Sequence, residues 1–110
     1  MAALENFLIL RDGINQSKFM EMFEKFFHEN VVMIQNGAII EGKAKNREIQ
    51  ENFIKNSVIH EIKIVSFEER GDTIVYQMVM NFEIGGHVIN KNQEVHQTWE
   101  YDKVIRELYV

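Results

Sequence analysis

The chain has 110 residues, 45% hydrophobic and 26% charged, and its 12 Lys+Arg against 17 Asp+Glu leave a net charge of −5 with histidine neutral. That length supports one domain over residues 1–110, able to bury roughly two-thirds of its unfolded surface without a disulfide or a structural metal. Zero cysteine excludes thiol chemistry and zinc ribbons, an acidic balance without a Lys/Arg-rich run argues against nucleic acid as partner, and no apolar stretch approaches the roughly 20 residues of a membrane span.

The opening MAALENFLIL has no basic region and is interrupted by Glu5, so no signal peptide is expected and the default is a cytoplasmic protein. Leu4, Phe7 and Leu8 recur at helical spacing until Asp12-Gly13, which predicts a short amphipathic helix over 2–11. Phe19, Met22, Phe23, Phe26 and Phe27 form the apolar stripe of a second helix, with Lys18, Glu21, Glu24 and Lys25 opposite and Asn15 as its expected N-cap. The period then changes. Val31 to Ile34 is β-branched and apolar, Asn36-Gly37 is a strong hairpin signal, and Ala38 to Ile40 returns as a second short strand.

Gly42 ends that strand, and Ala44 to Asn56, with Ile49 and Phe53 at i, i+4, reads as a third helix. Residues 58–69, 73–84, 87–101 and 103–110 are four β segments separated by Gly71-Asp72, Gly85-Gly86 and a turn near Asp102. Their short connections predict antiparallel neighbours. The expected class is α+β, with three N-terminal helices packed in a curved, mostly antiparallel sheet. In 73–84, Ile74, Tyr76, Met78, Met80, Phe82 and Ile84 share an apolar face that should meet the helices. The other face mixes Val75 and Val79 with polar residues, which suits a sheet-to-sheet homodimer.

Three strings in this order, FFHENVVMIQNG, EGKAKNREIQENF and QTWEYDKVIREL, resemble the SnoaL-like branch of the nuclear transport factor 2-like superfamily. Phe27, Asn30, Val31 and Val32 carry the end of the second helix. Gly42, Glu48 and Phe53 carry the entry to the third, and Trp99, Asp102, Lys103, Val104 and Ile105 the final strand pair. The resemblance implies a cone, a strongly bent sheet wrapped around the helices and open at one end into a pocket, dimeric through its outer face. It implies little about activity, because this fold hosts isomerases, dehydratases, polyketide cyclases, hydrolases and plain binding proteins.

Where the steroid isomerases of the superfamily place their catalytic base, this chain has Gln35 and Asn36, neither of which abstracts a proton, and no tyrosine precedes Tyr76. Where the polyketide cyclases use an acid on the long strands, the aspartates Asp12, Asp72 and Asp102 read as turn or cap residues. Glu61, Glu83, Glu94 and Glu100 read as solvent-facing or cross-strand charges. His96 alternates with the apolar set Val95, Gln97, Trp99 and Tyr101 and is expected to face outward, whereas His60 shares its face with Ile62 and Ile64. Four scattered histidines without an H-x-H or H-x-x-x-H pair predict no metal, and the lack of a Gly-rich loop before a helix predicts no nucleotide cofactor.

Phe23, Phe27, Phe53, Tyr76, Met78, Met80 and Trp99 describe either a filled core or an apolar cavity with a few polar handles. The resulting expectation is a protein that binds a small apolar or aromatic molecule in the cone. If it turns that molecule over, it does so without cofactor, with His60 or Tyr76 handling the proton and Gln97 and Trp99 orienting the substrate. The alternative is a non-catalytic dimeric interaction or scaffold module that uses the outer sheet face.

Overall fold

The computed structural model describes residues 2–110. Helices α1 (Ala2–Asn15) and α2 (Phe19–Phe26) lead into strands β1 (Phe27–Gln35) and β2 (Ala38–Glu41), then helix α3 (Lys43–Asn56). Four strands follow: β3 (Ser57–Arg70), β4 (Thr73–Ile84), β5 (His87–Glu100) and β6 (Lys103–Tyr109). All six pair into one open sheet in the order β2-β1-β6-β5-β4-β3. Each neighbouring pair is antiparallel except β1 beside β6, where Val32 faces Arg106 and Ile34 faces Leu108 in parallel register. The class is thus α+β, with three helices among the described residues and a mixed, mostly antiparallel sheet. None of these helices is long and apolar enough to cross a membrane.

The β1–β2 hairpin turns where the sequence places it: Asn36 and Gly37 both take positive φ, 52° and 80°, the geometry that a two-residue turn between twisted strands requires. Helix α1, by contrast, runs past Asp12-Gly13 to Asn15. Gly13 serves packing instead of a turn, because a Cβ there would overlap Sδ and Cγ of the buried Met22 on α2. Asn15 does not cap α2, whose preceding residue Lys18 makes no side-chain cap bond. Its side chain instead acts on β3, accepting from Ile64 N–H at 2.8 Å and donating to Ile64 O at 3.3 Å. Phe27 opens β1 where the helical stripe had placed it in α2.

The core lies between the inner sheet face and α1 and α2, around Phe7, Phe26, Val31, Ile74, Val95, Trp99 and Val104. Phe7 meets the rings of Phe67 and Tyr76 at 5.2 and 5.6 Å. Ile74, Tyr76, Met78 and Phe82 are buried on the inner face of β4, as their alternation predicts. Helix α3 is held mainly at its first turns. Buried Lys43 donates to the main-chain oxygen of Glu24 at 2.9 Å, Arg47 pairs with the Glu24 carboxylate, and Asn46 donates to Ile40 O and Gly42 O. Further along, Phe53 packs edge-on against Phe82 at 5.0 Å.

Candidate functional site

The β5–β6 hairpin brings Gln97 opposite Glu107. Residues 101 and 102 make the turn, with Tyr101 at φ 57°. The register is regular from Val95 to Thr98 and then jumps, since Thr98 faces Arg106 but Trp99 faces Val104. Ile105 is the extra residue of a β-bulge. The bulge lets both Val104 and Glu107 point inward, three positions apart, where strict alternation would send them to opposite faces.

Glu107 is 2% exposed and Gln97 is 0% exposed. A carboxyl taken this far from water must be hydrogen-bonded or neutral, and it is surrounded by donors. The Tyr109 hydroxyl donates to Oε1 at 2.6 Å, Gln97 Nε2 to Oε2 at 2.6 Å, and the Tyr76 hydroxyl reaches Oε2 at 3.5 Å. Trp99 Nε1 donates to Gln97 Oε1 at 2.8 Å. Because an indole N–H can only donate, it fixes the Gln97 amide with its oxygen toward Trp99 and its NH2 toward the carboxyl.

Burial pushes the Glu107 carboxyl above the usual carboxylate range, against the three hydrogen bonds that favour the anion. Burial also lifts Tyr76 and Tyr109 well above the ordinary phenol range, with the nearby Glu107 adding to it, so both remain neutral donors. The cluster is therefore an acid of raised pKa whose conjugate base finds three donors already in place.

This cluster borders a cavity of about 520 Å³. Phe23, Phe27, Met33, Phe53, Met78 and Met80 supply its apolar wall, and Tyr76, Gln97, Glu107 and Tyr109 its polar floor. A second polar set, Gln35, Asn36, Gln50, Lys91 and Gln93, also lines it. Among the described residues, no group of three or more His, Cys, Asp or Glu could hold a metal ion.

The structure thus brings Phe23, Phe27, Phe53, Tyr76, Met78, Met80 and Gln97 to one cavity. Trp99 is not in its lining; it is buried against the Phe26 ring at 5.7 Å and acts on the site through Gln97. His60 requires a correction. Its side chain is 47% exposed and lies 3.3 Å from Glu83 Oε1, away from the cavity. The cause is a second bulge: Ile59 faces Phe82 and Glu61 faces Asn81, which leaves His60 unpaired and breaks the alternation counted back from Ile64 and Ile62. His96 faces outward beside Glu94, 2.7 Å away. Sequence reasoning missed Glu107 and Tyr109. The two-residue turn at 101–102 alone would set Gln97 opposite Arg106; the bulge at Ile105 moves Glu107 into that place, and it carries no strong sequence mark.

No family model and no curated protein sequence matches the chain. Solved structures do. A proposed SnoaL-like polyketide cyclase from Mesorhizobium loti, also described as a carbohydrate phosphatase, superposes with a TM-score of 0.91 at 15% identity over 100% of this chain and 99% of its own. A proposed SnoaL-like polyketide cyclase from Jannaschia sp. CCS1 gives 0.79 at 14% identity over 99% and 84%. TerC, co-crystallised with polyporic acid, gives 0.73 at 16% identity over 100% and 91%. These likenesses show the fold, which is that of the SnoaL-like, nuclear transport factor 2-like and cystatin-fold proteins.

Proposed function

We propose that this domain binds a small, largely apolar or aromatic molecule in the cavity and acts on it by cofactor-free acid/base chemistry centred on Glu107. The observation that carries the reading is a buried carboxyl lining an apolar cavity and met by three side-chain donors. A carboxyl whose pKa is raised by its apolar surroundings is the better placed to give a proton to a ligand carbonyl oxygen or leaving oxygen. The carboxylate left behind is stabilised by Tyr109, Gln97 and Tyr76 without rearrangement, which is the preorganisation that proton transfer needs. The chemistry fits an isomerase, cyclase or dehydratase step, and of these cyclisation is the activity proposed for the two SnoaL-like structural neighbours. Of the residues expected from sequence, Tyr76 stays in the site as a donor and Gln97 as the group that orients Glu107.

The test is a thermal-shift and tryptophan-fluorescence screen of aromatic ketones, phenols and quinones. Trp99 is the single tryptophan and is bonded to Gln97, so occupancy of the floor should change its emission. Glu107→Gln should abolish any turnover found while keeping binding. A screen in which no compound changes either signal would sink the proposal.

A second reading concerns the outer sheet face, where Val75 is buried, Val79 lies four residues on, and Asn81 Oδ1 is buried with no partner among the described residues. We propose that this face pairs with a second copy of the chain, which light scattering at micromolar concentration would report as a dimer. A monomer there would remove this reading and the scaffold alternative with it.

A further inference from the structure

Along the inner face of β5, the cavity-lining residues Gln97, Gln93 and Lys91 run from fully buried, through 8% exposed, to exposed. The gradient gives the cavity an axis, with Glu107 beside Gln97 at the closed end and Lys91 beside Met80 at the mouth. Six steps of extended strand lead from Gln97 to Lys91, about 20 Å between their Cα atoms. Within the lining, Lys91 is the only cationic side chain and Glu107 the only acidic one among the described residues. No described carboxylate lies within ion-pair distance of Lys91, although the chain carries a net charge of −5.

We infer that the ligand is an organic anion with an aromatic or apolar body, seated with its neutral oxygen at Glu107 and its carboxylate, sulfonate or phenolate at Lys91. This rests on the small-molecule reading of the cavity and adds a charge and an orientation to it. A negative group cannot sit at the closed end without facing either the Glu107 carboxylate or a carboxyl that stays neutral there and offers no countercharge. At the mouth it meets an ammonium group at the edge of water, where Coulomb attraction is gained without burying either charge fully. The two neighbouring glutamines do not compete for that role. Gln97 is committed to Glu107, and Gln93 Nε2 donates to the main-chain oxygens of Glu94 and Val110.

The probes are a matched fluorescent pair, 1-anilinonaphthalene-8-sulfonate and N-phenyl-1-naphthylamine, which share their rings and differ by the sulfonate. Wild-type protein should bind the sulfonate at one site with a several-fold lower Kd than the neutral amine, and the preference should weaken as salt is raised. Lys91→Gln should remove most of that preference and Lys91→Arg should keep it. Lys63→Gln, which changes a lysine paired with Glu61 outside the lining, should leave it untouched. Equal binding of the two probes by wild type, or a preference that survives Lys91→Gln, overturns the charge and orientation but leaves the cavity reading standing. Failure of both probes to bind overturns the cavity reading itself.

Discussion

Gln97 and Glu107 face each other across the β5–β6 hairpin and are joined by a 2.6 Å hydrogen bond, both buried. Since Trp99 fixes the Gln97 amide, the donor at Glu107 is set by packing around the indole and not by the carboxyl itself. Replacing Gln97 by Leu removes one of the bonds that favour the anion, so the Glu107 pKa should rise further. Carboxyl 13C shifts followed through a pH titration would measure it. An unchanged or lowered midpoint would contradict this view of the pair.

The raised pKa of Glu107 also has a consequence for stability. Between the unfolded value, about 4.3, and the higher folded value, the native state holds more protons than the unfolded one. The stability that this group contributes is therefore present at low pH and falls as pH rises through that window. Glu107→Gln, which cannot ionise, should lose that slope, so its melting temperature relative to wild type should climb from pH 4 toward neutrality. Parallel melting curves at every pH would show that Glu107 does not titrate as described.

Trp99→Phe preserves a ring against Phe26 but leaves the buried Gln97 Oε1 without a donor. The expected cost is about 1–3 kcal/mol, read from urea unfolding followed by far-UV circular dichroism. A neutral substitution would mean that the indole N–H does not orient Gln97.

Gly13→Ala tests the contact between α1 and α2. In an exposed helix the change would stabilise by up to about 1 kcal/mol, but here the new Cβ meets the side chain of Met22. The single variant should lose stability, and in a Met22→Ala background the same change should gain it. Additive effects in this double-mutant cycle would show that the two sites do not touch.

Much of the fold was legible because its signals are local. The Phe/Met stripe of α2, the Asn36-Gly37 turn and the apolar face of β4 each follow from a period or a turn residue. The site was less legible because face assignments along a strand assume unbroken alternation, and a bulge breaks it without a strong sequence mark. One bulge turned His60 out of the expected lining, and another brought Glu107 into it. Asn15 was misread for a related reason: its polar side chain suits a helix start, but the partner it found, Ile64, lies 49 residues away in sequence. Asn15→Ala should accordingly speed amide exchange at Ile64, whose N–H on the edge strand β3 bonds to the Asn15 side chain.

Helix α3 walls the cavity with Ile49, Phe53 and Ile54, yet its two buried residues, Lys43 and Asn46, belong to its first turns. Its polar ties to the rest of the fold are thus gathered near Glu24, with the Phe53–Phe82 contact further along at the cavity wall. Phe82→Leu, which takes away the ring that Phe53 meets in the cavity lining, should therefore shorten the residence time of a bound probe several-fold while the global unfolding midpoint moves far less.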